Sequence, residues 1–345
     1  MKNIKPFYLS FILVILLIVS IFLFMYQGEA SVSPVSFIKL FLNLFTKENT
    51  LSLFEEIILN IKLPIVIAAC LSGFAYGLSG SMLQSLLRNP LADPGVLGIS
   101  SGASLMVVLG LWFFNIPIIA SFNQNITVLI LASIGGGIVL MIMYFVSKLF
   151  INGKMTGVLL AGIALSSIFS SILMLIITFS DQGNLRFALS WLMGGIQSLS
   201  WGLLLFDLIL LFMTSFILLK ISSALDLLSL GEIEAESAGV NLKSLLLIIL
   251  IGLSFLLAIS VSMAGPVAFI GLISPHIIRF FGVRKNFSLM LNSGLMGALL
   301  VLLAEDVARN MFAPLVLPLG AVTALIGAPF FLSVLYKARK LSLFS

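Results

Sequence analysis

The chain has 345 residues, of which 61% are hydrophobic and 9% are charged, and its formal net charge is +5. Soluble domains carry about 25% charged residues, so this composition excludes a soluble globular protein. Because about 20 apolar residues span a bilayer, the hydrophobic content suffices for about ten spans in a single membrane domain, residues 1–345. The basic residues are scattered between apolar runs, which indicates membrane topology rather than nucleic-acid binding.

Ten apolar segments in chain order predict an all-α, polytopic membrane protein. They are residues 7–26, 61–86, 95–114, 118–147, 156–179, 190–219, 243–263, 267–282, 289–304 and 318–336. The first is longer than a signal-peptide core and is interpreted as an uncleaved span. The fourth and the sixth are long enough to tilt or to break. Lys and Arg are concentrated in alternate loops, on the side of the N-terminus, which predicts that both termini are cytoplasmic.

The polar stretch between the second and third spans is unusual for a membrane protein. Residues 84–105 read QSLLRNPLADPGVLGISSGASL and include Arg88 and Asp93. A proline disfavours helical geometry in the residue before it, so Asn89 and Asp93 are expected to break the helix. Asp93 is then expected to cap the next helix, with Pro94 at its first position. Since lipid cannot satisfy an irregular backbone, this stretch should be buried in protein or line a watery cavity. A capped turn and a gate both fit it.

A second polar stretch, residues 226–241, reads DLLSLGEIEAESAGVN and lies on the predicted inner side. Apolar residues alternate there with Glu232, Glu234 and Glu236, which suits one or two short amphipathic helices on the membrane surface. Anionic lipid repels an acidic surface helix, so we favour a protein partner over a merely solvated loop.

A third stretch, residues 304–327, lies on the predicted outer side between the ninth and tenth spans. Glu305, Asp306 and Arg309 are adjacent on one helical face there. An internal salt bridge at a helix end and a charged pad for an external protein are equally good interpretations.

Small residues in the spans suggest close packing. Gly73 and Gly77 form a GxxxG pattern, which lets helix backbones approach. Ser166, Ser167, Ser170 and Ser171 repeat at i, i+4 spacing on the fifth span. These hydroxyls either line a path or bond to carbonyl groups of their own helix.

Several kinds of site are missing from the sequence. There is no GxxxxGK[ST] phosphate loop, so the chain does not bind ATP by that device. His276 is the only histidine, which excludes a Ser-His-Asp triad and a histidine-rich metal cluster, and Cys70 is the only cysteine. We interpret His276, between Pro275 and Arg279, as part of a structural helix break. Neither an enzyme nor a metal site is predicted.

Four motifs, in this order, resemble the FecCD family, the transmembrane permeases of ABC importers for iron–siderophores, haem and vitamin B12. They are RNPLADPGVLGISSGA (88–103), GEIEAESAGV (231–240), GPVAFIGLISPHIIRFFG (265–282) and LPLGAVTALIGAPFFLSVL (317–335). The resemblance implies a type II ABC importer permease of ten transmembrane helices in a bacterial cytoplasmic membrane. The partners it implies are a second permease subunit, two cytoplasmic ABC ATPases and an extracytoplasmic binding protein. This chain would need no cofactor, because ATP–Mg would bind to the ATPases.

The resemblance also implies roles for three groups of residues. The ATPase-coupling group is Leu228, Leu230, Gly231, Glu232, Glu234, Ala235, Ala238 and Gly239. The group that docks the binding protein is Lys62, Glu305, Asp306 and Arg309. The inner gate and translocation path are Arg88, Asn89, Pro90, Asp93, Pro94, Gly98, Ser101, Gly102, Ser166 and Ser170. The family usually has two arginines around a Leu-Pro pair, where this chain has Lys62 and Ile65.

Iron–siderophore complexes are the expected substrate, with haem and cobalamin as alternatives. An ion-coupled secondary transporter is a less favoured alternative, since it would need an acid inside the membrane. Asp207, within the sixth apolar segment, is the chief candidate for such an acid.

Overall fold

The structure is a computed structural model that describes residues 5–27, 56–113, 124–150, 155–180, 182–196 and 199–342. Regular secondary structure within these ranges is entirely helical, which confirms the predicted fold class. The α-helices are α1 (Pro6–Tyr26), α2 (Leu63–Leu86), α3 (Ile99–Phe113), α4 (Gln124–Phe150), α5 (Met155–Thr178), α6 (Gln182–Leu192), α7 (Trp201–Lys220), α8 (Ser222–Leu228), α9 (Glu232–Ser237), α10 (Leu242–Ala264), α11 (Ile270–Phe280), α12 (Asn286–Asn310) and α13 (Leu319–Ser342). A π-helical turn, Ile58–Lys62, leads into α2.

Six helices in the described ranges are long and apolar enough to cross a membrane, judged by length and composition. They are α1, α2 with its π turn, α5, α7, α10 and α12. Shorter apolar helices lie within α3, α4, α11 and α13. Together they fall on the ten apolar segments of the sequence, because long apolar runs favour helices wherever the backbone must satisfy its own hydrogen bonds.

The sixth apolar segment, residues 190–219, was long enough to tilt or to break, and the structure shows that it breaks in its first third. The structure ends α6 at Leu192 and begins α7 at Trp201. Gly194 lies between them with φ +73°, a conformation that glycine adopts without strain. The apolar run did not show where the helix breaks, because the mean hydropathy stays high through residues whose backbone is no longer helical.

The centre of the bundle is a tight contact between α2 and α12. A Cβ added at Gly77 would lie 2.0 Å from the backbone oxygen of Ser293, and one at Gly73 would lie 2.4 Å from that of Gly297. The two backbones therefore touch, as the GxxxG pattern predicts. The helix α10 also packs on α2. In the most apolar stretch of α10, 72% is buried inside the protein.

The short helices α8 and α9 mark one end of the bundle. They confirm the one or two amphipathic helices predicted for residues 226–241, although α8 begins earlier, at Ser222. We call this the α8–α9 end. The opposite end, formed by residues 193–196, 199–200 and 311–319, is called the far end.

Candidate functional site

A cavity of about 560 Å³ lies where helices are interrupted. Its walls come from residues 93–95, the first turn of α3, the middle of α5, and the breaks at 192–193, 266–268 and 318–321. Irregular backbone at membrane depth is tolerated where it is buried in protein or lines a cavity. The cavity therefore explains why an apolar chain contains these interruptions.

The segment between α2 and α3, residues 87–98, forms one wall. Asp93 accepts a hydrogen bond from the Gly95 amide at 3.1 Å and caps a single 3₁₀ turn, Pro94–Leu97. The predicted cap is thus present, with the 3₁₀ turn placed between Asp93 and α3. Gly98 follows with φ +75° and turns the chain into α3. Burial raises the pKa of the Asp93 carboxyl, and the hydrogen bond from Gly95 opposes that effect.

Backbone groups at the helix interruptions toward the far end form hydrogen bonds with one another. The Gly195 amide donates to the Ala264 carbonyl at 2.9 Å, and the Leu319 amide donates to the Gly194 carbonyl at 3.1 Å. Backbone amides freed at one break are therefore satisfied by carbonyl groups at another.

Tyr76 of α2 supports the same region from the core. Its buried hydroxyl donates to the Gly265 carbonyl and accepts from the Val267 amide, both at 3.2 Å. Sequence reasoning assigned no role to Tyr76 or to Gly194. The Gly-Gly pair at 194–195 and the Gly-Pro pair at 265–266 were the signals that could have found these breaks.

The structure divides the four serines of α5 into two pairs. The hydroxyl oxygens of Ser166 and Ser101 are 3.1 Å apart, and Ser170 donates to Ser101 at 3.4 Å. Ser101 and Ser170 also line the cavity. By contrast, Ser167 and Ser171 donate to carbonyl groups of their own helix, at 3.0 and 2.8 Å. Ser167 and Ser171 therefore follow the second interpretation, whereas a role of Ser166 and Ser170 in the path stays a prediction.

Other residues of the predicted gate have different positions. Pro94 is buried against Gly271 of α11, beside the cavity. Gly102 faces α4, where an added Cβ would lie 2.2 Å from Val139 and 2.9 Å from the Gly135 oxygen, so it is a packing contact. Arg88, Asn89 and Pro90 do not line the cavity and lie at the α8–α9 end of the 87–98 segment. Asn89 accepts a hydrogen bond there from the Leu91 amide at 2.9 Å.

The predicted coupling group splits by exposure. Leu230 and Ile233 are 71% and 77% exposed, although both are large apolar side chains. Leu228 and Ala235 are instead fully buried, so these two members of the predicted ATPase-coupling group do not face a partner. Their side chains anchor α8 and α9 to the bundle. Ile233 was missing from the predicted group, and its signal was an apolar residue between two glutamates.

The other members of the coupling group surround these two exposed side chains. Glu234, Ala238 and Gly239 are exposed, and Gly231 is half-buried. Gly231 and Gly239 have positive φ, +153° and +90°, and bound α9 on either side. The α8–α9 end therefore presents a small surface on which the exposed apolar side chains of Leu230 and Ile233 lie next to the exposed Glu234.

The charged residues at the far end form a different arrangement. Arg309 donates to the Glu305 carboxylate at 2.6 Å and also to the Ile196 carbonyl. Glu305 is 1% exposed, so it orients Arg309 and cannot itself face a partner, which corrects its predicted docking role. Asp306 accepts from the Asn310 side chain at 2.7 Å and stays half-buried.

Lys62 lies across a cavity of about 320 Å³ from Arg309. Its ammonium group donates to the backbone carbonyls of Met25 and Gln27 at the end of α1, at 3.0 and 2.9 Å. Two basic side chains from separate helices therefore border one concave surface. The internal salt bridge that the sequence suggested is present, and the charged pad for an external protein stays a prediction.

The remaining polar residues of interest are His276 and Asp207. The His276 ring meets the Phe330 ring edge-on at 5.9 Å, a packing contact between α11 and α13. Asp207 is 0% exposed, and both its carboxylate oxygens lack a hydrogen-bond partner within the described part of the chain. Among the residues that the structure describes, no group of three or more His, Cys, Asp or Glu could hold a metal ion.

Comparison with known proteins gives consistent matches over nearly the whole chain. The model of the FecCD transport family matches residues 14–337. The hemin transport system permease protein HmuU of Yersinia pestis is 33% identical over 334 residues, which are 96% of each chain. The vitamin B12 import system permease protein BtuC of Vibrio vulnificus is 35% identical over 329 residues, 95% of this chain and 93% of that protein.

A solved structure has the same fold. It is an inward-facing conformation of a metal-chelate type ABC transporter, with a TM-score of 0.82 and 29% identity, covering 96% of this chain and 100% of that one. The fold and the sequence therefore agree over nearly the full length of both chains. The chain therefore belongs to the FecCD transport family and is a permease of the type II ABC importer class.

Proposed function

We propose that this chain is the permease subunit of an ATP-driven importer that carries a metal chelate, with an iron–siderophore complex as the first candidate. The main observation behind the proposal is the cavity between the helix interruptions, because a permease needs a path for its substrate and this cavity is a candidate for it. Its polar lining is mainly serine hydroxyls, and a transporter needs only weak contacts with what it moves. A second permease subunit would close the open side of the cavity.

Uptake into vesicles tests the substrate. The complex, with its ATPase and its binding protein, is reconstituted and supplied with a labelled ferric siderophore, haem or cobalamin. We expect ATP-dependent uptake of the siderophore. Uptake of haem or cobalamin alone would retain the chelate importer and reject the siderophore, and the names of the relatives make both worth testing. Uptake that needs an ion gradient but no ATP would reject the importer.

The α8–α9 end is proposed to be cytoplasmic and to seat in a groove of the ATPase, where ATP–Mg binds. The excess of Lys and Arg in the loops on that side supports the orientation, with both termini inside. The exposed Leu230 and Ile233 beside glutamates suit a protein groove better than lipid headgroups. A cysteine placed at Ile233 should react with a membrane-impermeant thiol reagent only from the inside. Labelling from the outside would reverse the orientation.

Gly239 offers a direct test of ATPase docking. Its φ of +90° is unfavourable for any side chain, although no other atom lies within 4 Å of an added Cβ. Gly239→Val should therefore distort the end of α9 and weaken co-purification of the ATPase. The matched control is Gly202→Val on α7, which also has open space. Normal ATPase binding by Gly239→Val would contradict the proposed docking site.

Arg309 and Lys62 are proposed to receive acidic residues of an external binding protein. Opposite charges across a docking surface raise the association rate and fix the register. Arg309→Glu should weaken capture of the binding protein, and reversal of its acidic partner residue should restore it. Such a rescue separates docking from the internal role of Arg309 beside Glu305. Unchanged affinity would reject the docking role.

A further inference from the structure

The ion pair between Arg88 and Glu232 joins the 87–98 segment to α9. Arg88 Nη2 lies 3.2 Å from Glu232 Oε1, and both side chains are exposed. Such a pair contributes little to stability in water. Yet Arg88 also adopts φ +50°, a conformation that is uncommon for a residue with a side chain. Backbone strain of this kind is found mostly at functional sites. We therefore interpret the Arg88–Glu232 pair as a contact that sets the position of the 87–98 segment relative to α9, and not as one that stabilises the fold.

A second contact joins α8 to the last turn of α2. Asp226 Oδ1 accepts two hydrogen bonds from Asn286, one from the backbone amide and one from the side chain, both at 2.9 Å. Asn286 is buried, and its side-chain oxygen accepts a hydrogen bond from Ser85. Asn286 therefore lies between α8 and α2 at the first residue of α12.

The last turn of α2 in turn holds the 87–98 segment. Gln84, next to Ser85, is buried and donates to the Ala92 carbonyl at 3.2 Å. Arg279 of α11 donates to the side-chain oxygen of Gln84 and holds it in place. Ala92 directly precedes Asp93, which lines the cavity. Polar contacts, together with the backbone that joins Ser85 to Gln84 and Ala92 to Asp93, thus connect α8 to the cavity wall.

These contacts differ from the packing around them. Apolar side chains in a membrane bundle attract without fixing a direction, whereas hydrogen bonds and ion pairs fix distance and orientation. We propose that Arg88, Glu232, Asp226 and Asn286 are positioning residues that make α8, α9 and the 87–98 segment move as one body. A displacement of α9 by the ATPase would then move the cavity wall at Asp93. This proposal depends on the proposed function.

Charge exchange in the complete transporter tests the link. Arg88→Glu and Glu232→Arg are made singly and together, with Arg284→Glu as the control, because Arg284 is exposed and lies beyond α11 on the segment that leads into α12. The measured quantities are ATPase co-purification and the number of substrate molecules carried per ATP hydrolysed. Arg88→Glu should lower that ratio by about threefold to a hundredfold, the range of coupled contacts, while the ATPase stays bound. The double exchange should restore most of the ratio, and Arg284→Glu should not change it.

Spin labels measure the movement itself. Leu91 and Ser237 are both exposed, so cysteines there can carry labels without disturbing the core, and Ser237 lies on α9 outside the predicted coupling group. The distance between them should stay constant when nucleotide binds, and Arg88→Glu or Asn286→Ala should make it vary. A purely structural role would alter the melting temperature but not this dependence on nucleotide.

Other outcomes would overturn the proposal. A wild-type transport ratio in Arg88→Glu, or no recovery in the double exchange, would remove the link while leaving the importer intact. An unmodified chain that binds no ATPase would instead reject the proposed function itself.

Discussion

The two sides of the bundle are built differently. The backbones of α2 and α12 touch at glycine residues. In the most apolar stretch of α12, 67% is buried inside the protein. On the cavity side, only 28% of the apolar window of α5 is buried, and large side chains such as Met174 and Phe179 are exposed. Closely packed interfaces cannot slide without steric clash, whereas a helix held along one face can shift. The first side is therefore a rigid scaffold, whereas α5 is held by fewer contacts within this chain.

The largest expected effect comes from breaking the scaffold. Gly77→Val should prevent stable folding, because the new Cβ would meet the Ser293 backbone oxygen at 2.0 Å and neither backbone can retreat. The measurement is the yield of monodisperse protein and its melting temperature in detergent. Gly202→Val, in open space, is the control and should fold normally. A melting temperature for Gly77→Val equal to the wild type would show that the two helices are not rigidly packed.

A smaller loss is expected where the scaffold supports the interruptions. Tyr76→Phe removes the hydroxyl that pairs with Gly265 and Val267 and leaves a buried amide unsatisfied. It should destabilise the protein by about 1–3 kcal/mol, measured by unfolding in mixed detergent. Tyr336→Phe is the control, because Tyr336 is exposed on α13. Equal effects of the two changes would mean that the hydroxyl of Tyr76 is not needed at the break.

Substitution of Asp207 is expected to raise the stability of the protein, whereas the two substitutions above lower it. An unpaired buried carboxyl is costly in the folded state, so Asp207→Val should stabilise the chain by about 1 kcal/mol. Transport should be retained, because the proposed importer uses no ion gradient. Thermal unfolding and vesicle uptake check the two parts. A destabilised or inactive variant would show that Asp207 has a partner or a function that the isolated chain does not reveal.

The smallest effect is expected at Gly137 of α4, and Gly135 on the same helix is the contrasting position. A Cβ at Gly137 meets no atom within 4 Å, so Gly137→Ala should be neutral or should stabilise the helix by up to about 1 kcal/mol. Two residues earlier, a Cβ at Gly135 would lie 2.2 Å from the Gly102 oxygen, so Gly135→Ala should destabilise. The difference between the two melting temperatures is the measurement. Its reversal would invalidate the packing of α3 on α4.

Local signals predicted much of the architecture. Apolar runs marked the spans, and the two prolines with Asp93 marked the interrupted segment and its cap. The alternation of glutamates with apolar residues marked α8 and α9. Each of these signals lies within a few residues of chain, where the backbone, the prolines and the caps act directly. The family motifs, too, were visible without coordinates.

Contacts across long stretches of chain were decided only by the tertiary structure. Asp226 and Asn286 are 60 residues apart, and Arg88 and Glu232 are 144 apart. The inward direction of Leu228 and Ala235 and the burial of Glu305 also emerged only from the packed helices. In a soluble protein, an apolar stripe shows which face is buried. In a membrane, lipid and protein core accept the same side chains, so apolar sequence determines that a helix spans but not which face meets its neighbours.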